Sequence, residues 1–77
     1  MDIQGKIIGI VRQYGKINGD VAIEKDLYSE LGIESFNSIS ILLALEEHFG
    51  LTIDDHEFVK ARTVGKLIRL VQVSGAA

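Results

Sequence analysis

Gly32-Ile33-Glu34-Ser35-Phe36-Asn37-Ser38-Ile39, running on as Ser40-Ile41-Leu42-Leu43-Ala44-Leu45-Glu46-Glu47-His48-Phe49-Gly50, places an acid-serine-apolar triplet at the mouth of a helix. The periodicity predicts that helix from about Ser35 to His48 or Phe49, with Gly50 as its stop. At about 100° per residue, with Phe36 at zero, Ile41, Leu42, Leu45 and Phe49 fall between about 140° and 240°. That stripe is wide enough to face a core. Phe36, Ile39 and Leu43 fall on the opposite side, edged by Glu46 and Glu47. A helix apolar on two sides either packs on both or offers one to something else. In so small a chain part of the second strip is expected to be exposed as a partner surface, because exposed apolar strips with charged rims are typical of binding sites. Phe36 is expected to be its partly buried member.

Working outward, Ile3, Ile7, Ile10 or Val11, and Tyr14 recur at helical spacing, predicting a first helix over residues 2–14 with Gly15 as its stop signal. Residues 16–34 lack sustained periodicity. Asn18-Gly19-Asp20 is a turn signal, and Leu27, Leu31 and Ile33 read as anchors fastening a long loop, with a helical turn near Leu27–Leu31. After Gly50, Leu51-Thr52-Ile53 leads to a short helix over Asp55–Lys60 that starts on acidic residues. Thr63 is a good N-cap for a last helix built on Val64, Leu67, Ile68 and Val71, while Ser74-Gly75-Ala76-Ala77 is expected to fray. The expected fold is all-α: one domain over residues 1–77, a four-helix bundle with a long first loop and a short third helix.

With 77 residues, 47% hydrophobic and 25% charged, the chain has the balance of one small globular domain. No cysteine is present, which removes disulfides and thiolate metal ligands. The start lacks a signal pattern and no apolar run reaches membrane-spanning length, so the chain reads as soluble and cytoplasmic without membrane insertion. The net charge of −3 is unevenly spread. Residues 20–57 hold ten acids against Lys25 alone, whereas residues 58–77 hold Lys60, Arg62, Lys66 and Arg69 and no acid. An acidic middle repels nucleic acid and attracts basic protein surfaces.

By itself Ser35 reads as a helix N-cap. Nothing marks it as a hydrolytic nucleophile: His48 lies about thirteen residues on, roughly 20 Å along the same helix. His56 beside Asp54, Asp55 and Glu57 reads as a solvated helix start, not a metal site. No catalytic residue is expected, and the chain is not expected to be an enzyme.

Leu31-Gly32-Ile33-Glu34-Ser35-Phe36, then Ala44-Leu45-Glu46-Glu47-His48-Phe49-Gly50, then Ile53-Asp54-Asp55, resembles the acyl carrier protein family. The likeness extends from Leu27 to Val71 with the spacing preserved. It implies that Ser35 carries a 4′-phosphopantetheine arm through a phosphodiester, flanked by Glu34 and Phe36, with cargo held as a thioester on the arm. It implies attachment by a magnesium-dependent phosphopantetheinyl transferase that uses coenzyme A. It also implies a monomer serving acyl-loading and acyl-transferring enzymes with basic docking surfaces. Under the resemblance Glu46, Glu47 and Asp55 match acidic docking positions, and Ile39 and Leu43 match apolar contact positions. In carriers that sequester their cargo the chain enters between the helices, which would make Leu45 and Ile53 the lining of such a space.

The residues agree with this reading on physical grounds. A helix start is reachable and its dipole favours an added phosphate. A flexible arm supplies the thiol that a cysteine-free chain lacks. There are departures from the family pattern. Glu34 replaces the usual aspartate, Phe36 the usual leucine, and Asn37 and Ser40 stand where housekeeping fatty-acid carriers place acids. These favour a specialised carrier in a dedicated acyl, polyketide or aminoacyl pathway. The alternative is a small helical interaction module of the same fold without an arm, binding a basic partner through Phe36, Ile39, Leu43, Glu46 and Glu47.

Overall fold

The computed structural model describes residues 2–75 and contains four helices in chain order: α1 (Ile3–Gly15), α2 (Ser35–Phe49), α3 (Asp55–Lys60) and α4 (Val64–Ser74). Among the described residues there is no strand. The last two residues of the segment expected to fray, Ala76 and Ala77, lie outside the described residues; Ser74 closes α4 and Gly75 caps it.

The helix ends follow local chemistry. Asp54 accepts from the Glu57 amide at 3.2 Å and so starts α3. Thr63 Oγ1 accepts from the Lys66 amide at 3.1 Å and starts α4. Gly50, at φ 63°, ends α2 by donating its N–H to the Glu46 carbonyl.

At the end of α1 the structure departs from expectation. Gly15 is the last helical residue, and the left-handed residue is Lys16, at φ 58°. Gly15 is buried, and a Cβ on it would stand 2.8 Å from Ile33 Cδ1. The glycine is therefore there for close approach, letting the end of the long loop seat against α1 two residues before Ser35.

One hydrophobic core joins all four helices and the loop. Ile7 and Val11 of α1, Ile41 and Leu45 of α2, and Val64 and Leu67 of α4 are fully buried within it, and Leu27 reaches it from the loop. Leu42 and Phe49 pack against it half-buried, as the wheel predicts. The wheel missed two buried α2 residues, Asn37 and Ala44, which lie beyond one edge of the core stripe, at about 100° and 80°.

The 16–34 segment has few regular hydrogen bonds but is well fastened. Val21, Leu27 and Ile33 are buried. The Leu27 amide donates to the Arg62 carbonyl at 2.7 Å, and the Gly65 amide donates to the Ile23 carbonyl at 3.0 Å. The expected turn near Leu27–Leu31 is present as a single uncontinued turn, with Glu30 and Leu31 amides both donating to the Asp26 carbonyl. Gly32, at φ 76° with open space around it, then turns the chain into Ile33 and α2.

Candidate functional site

Ser35 is the first residue of α2, not its cap. Glu34 holds the N-cap position in extended conformation, and its side chain makes no capping hydrogen bond. This corrects the sequence expectation: the tight Gly32 turn brings the chain into helical geometry one residue early. The Ser35 side chain is exposed, and the hydrogen bond recorded at this residue is to its backbone, where the Ser38 hydroxyl donates to the Ser35 carbonyl oxygen. The start of α2 therefore offers a solvent-facing hydroxyl beside first-turn amides that no side chain satisfies.

Ser35 opens onto a groove of about 230 Å³ that it shares with Tyr28, Ser38, Phe58, Val59 and Arg62. Four of these six residues come from outside α2, and no pattern around Ser35 pointed to them. Arg62 is clamped by Asp26 through two hydrogen bonds, Nε to Oδ1 at 2.7 Å and Nη2 to Oδ2 at 3.0 Å. Its guanidinium also lies over the Tyr28 ring, 4.9 Å from the centroid. Asp26 further accepts from the Ser29 amide and hydroxyl and from the Tyr28 amide. The signal available in sequence was Asp26 two and three residues before Tyr28 and Ser29, an Asx-turn pattern; its pairing with Arg62 was not visible.

The Arg62 guanidinium, followed by the Ser29 amide, holds the Asp26 carboxyl well below the usual carboxylate range. Burial pushes the Tyr28 phenol up, against the opposing pull of Ser38 and Arg62. Because the folded Asp26 titrates below its unfolded value of 3.8, its stabilisation is present above that pH and is lost as pH falls toward the folded value. Asp26→Asn keeps the turn's acceptor but removes the charge on Arg62's partner. The variant is expected to melt below the parent at neutral pH, with the gap closing in acid. Thermal melts followed by circular dichroism at neutral and acid pH check this; a gap independent of pH would show that the carboxylate charge is not what holds the loop.

The second apolar strip of α2 is open. Phe36 is 70% exposed, Ile39 60% and Leu43 59%. Phe36 is thus the least covered of the three, contrary to its expected partial burial, and it is not among the residues packed against the core. Glu47 is exposed on the same side and borders a shallow recess with Tyr14, Ser40 and Leu43. Glu46 differs: it is half-buried, and its Oε2 accepts from the Ile53 amide at 2.9 Å, so one carboxylate oxygen ties down the α2–α3 connection. Asp55 is exposed in the first turn of α3, on a different element from the strip. Leu45 and Ile53 are both core residues.

Among known families, the model described as "Phosphopantetheine attachment site" matches residues 5–71. The chain belongs to the acyl carrier protein family. It is 34% identical over 76 residues to "Acyl carrier protein, mitochondrial" of Dictyostelium discoideum, an alignment covering 99% of this chain and 63% of that protein. It is 32% identical over 63 residues to "Acyl carrier protein homolog" of Mycoplasmopsis pulmonis (strain UAB CTIP), covering 82% of this chain and 86% of the relative. The chain thus spans less than two thirds of the Dictyostelium protein. The family's prosthetic group is covalent 4′-phosphopantetheine, so the armless alternative loses its ground.

The residues present suit such a group. A phosphodiester needs a reachable hydroxyl and an environment that favours negative charge, and the start of α2 provides both: the Ser35 hydroxyl is exposed, and the first-turn amides lie at the positive end of a 15-residue helix. Among the described residues, no helix is long and apolar enough to cross a membrane.

Proposed function

We propose that Ser35 bears the 4′-phosphopantetheine arm and that the chain delivers acyl or aminoacyl intermediates to the enzymes of a fatty-acid, polyketide or related biosynthetic pathway. The observation that carries this reading is the solvent-facing hydroxyl of Ser35 at the first position of α2, next to the open strip of Phe36, Ile39 and Leu43. When attached, the arm supplies a thiol on which cargo is held as a thioester. The protein's own residues do the rest. The first-turn amides of α2 stabilise the phosphodiester charge, Glu34 and Phe36 flank the attachment point for a transferase to read, and the α2 strip offers an apolar contact. Glu47 steers basic enzyme mouths toward that strip, with Asp55 as a further acidic contact, while Glu46 keeps one oxygen for partners and commits the other to Ile53.

Docking of this kind is brief, and acidic steering raises the encounter rate more than the lifetime of the complex. Linkage through an arm keeps the cargo at high effective concentration near the next active site. The near-neutral start of α2, with Asn37 buried and Ser40 uncharged, supports a specialised partner set over that of a general fatty-acid carrier. A cytoplasmic location fits a cysteine-free chain, as does the mitochondrial setting in the Dictyostelium relative's name.

The direct test is incubation with coenzyme A, magnesium and a broad-specificity phosphopantetheinyl transferase, followed by intact-mass and fragment analysis. A gain of one phosphopantetheine located on Ser35 is expected. No gain in a folded sample with any transferase sinks the reading. Glu47→Lys is expected to slow acyl transfer to a partner with a basic mouth by about threefold to tenfold at low salt, with the difference vanishing at high salt and the melting curve unchanged. Transfer rates that ignore both the charge and the salt would remove Glu47 from the docking surface.

A further inference from the structure

Apart from the groove at Ser35, an open groove of about 650 Å³ lies between α3 and α4. With Val64 at zero on a helical wheel, the core residues Val64, Leu67, Ile68 and Val71 of α4 occupy one side. Lys66, Arg69, Leu70 and Val73 fall on the other, between about 140° and 240°. So α4, like α2, carries apolar side chains on its outer face, and Val73 is 67% exposed. Ala61 adds to the apolar floor.

The charge on this face is the reverse of that on α2. Among the described residues, neither Lys66 nor Arg69 forms a salt bridge. On the opposite wall Glu57 lies 3.6 Å from Lys60, and Asp54, which caps α3, keeps its charge against three cations in the lining. The groove therefore presents an apolar floor and two uncommitted cations along one helix face. We infer that the α3–α4 groove is a second docking site, and that it takes an amphipathic helix of a partner protein carrying leucine-like side chains and carboxylates.

The enzymes drawn to α2 present basic surfaces, which this groove repels; the partner here is of the opposite charge. A groove with cations spaced one turn apart suits a helix that places apolar anchors at i, i+3, i+4 and i+7 with acids beside them. α3 stands as a wall between the two sites. Phe58 and Val59 line the groove at Ser35, whereas Glu57, Lys60 and Ala61 line the groove on α4, and the two lining sets share no residue. Both can thus be occupied at once. A second copy of this chain docking its acidic α2 strip here would make a heterologous, head-to-tail contact that competes with the enzymes drawn to that strip.

The test uses the isotope-labelled protein and a synthetic helical peptide of leucines at that spacing flanked by glutamates, with a lysine-flanked peptide as control. Amide shift changes are expected to concentrate at Lys66, Arg69, Leu70 and Val73. The double variant Lys66→Glu with Arg69→Glu is expected to bind the acidic peptide about tenfold more weakly, with an unchanged melting curve and unchanged loading at Ser35. Shifts confined to the α2 strip, or equal binding of the lysine-flanked peptide, overturn the inference. So does charge-dependent binding to phosphatidylglycerol vesicles without peptide binding, which would make the occupant a bilayer. Sedimentation showing self-association that the double variant abolishes would replace the partner with a second copy. Because loading is read at a different groove, failure of Ser35 to take the arm and failure of peptide binding are separate results.

Discussion

Replacing Ser35 with alanine is expected to abolish the phosphopantetheine mass gain completely while leaving the melting curve essentially where it was. The first half follows from chemistry, since alanine has no oxygen to form the phosphodiester. The second follows from geometry. An N-cap serine replaced by alanine typically costs about 1 kcal/mol, because an end amide loses its acceptor. Ser35 is instead the first residue within α2, and the hydrogen bond recorded there is accepted by its backbone carbonyl, which alanine keeps. Alanine is also the better helix former. The expected stability change is within about 0.5 kcal/mol. Intact mass spectrometry and thermal denaturation of the same sample read both halves together. Persisting mass gain would move the attachment to another hydroxyl and end the reading of Ser35. A drop of a full cap's worth would show that the hydroxyl holds an end amide in solution.

Leu45→Ala is expected to destabilise the domain by about 2–5 kcal/mol. The side chain is completely buried on the core face of α2, so truncation loses its transfer free energy and leaves a void. A domain of this length has a total stability on the order of 4–12 kcal/mol, so the loss is a large share of the whole. Leu43→Ala is the matched comparison. It lies two residues away on the same helix, 59% exposed, and is expected to cost within about 0.5 kcal/mol while weakening partner docking. Denaturant melts of the pair check the assignment of the two faces. Should Leu45→Ala fail to fold, Leu45→Met, which conserves volume, is expected to cost less than about 1.5 kcal/mol. Equal effects at positions 43 and 45 would mean that the two sides of α2 are wrongly assigned.

Much of the helical layout could be read from the chain because it rests on short-range rules. Periodicity placed the start of α4 to the residue and that of α2 to within one, Gly50 marked the end of α2, and Thr63 announced a cap that its hydrogen bond bears out. The two-sided character of α2 was equally legible, since residues three and four apart share a face whatever they meet. The errors came where a second segment intervened. Gly15 looked like a stop signal, but it is kept small by Ile33, eighteen residues later. Phe36 was expected to be partly covered, yet nothing in its own sequence neighbourhood could say where the loop would pass. Ser35 read as a cap because serine before an apolar run usually is one; the Gly32 turn shifted the helix start by a single residue.

By itself, then, the sequence determined the helices, the acid-serine-apolar triplet and the family pattern around it, all encoded within a few residues of one another. Tertiary structure alone decided what surrounds the serine and what lies on the far wall of α3. Asp26 and Arg62 are thirty-six residues apart in the chain and 2.7 Å apart in space. Glu46 binds the Ile53 amide across the α2–α3 connection. Lys66, Arg69, Leu70 and Val73 became a groove only when α3 packed beside α4. The physical reason is the same in each case. Helical periodicity and capping are set by backbone geometry over one or two turns, whereas a groove or a clasp exists only between surfaces that the collapse of the core brings together.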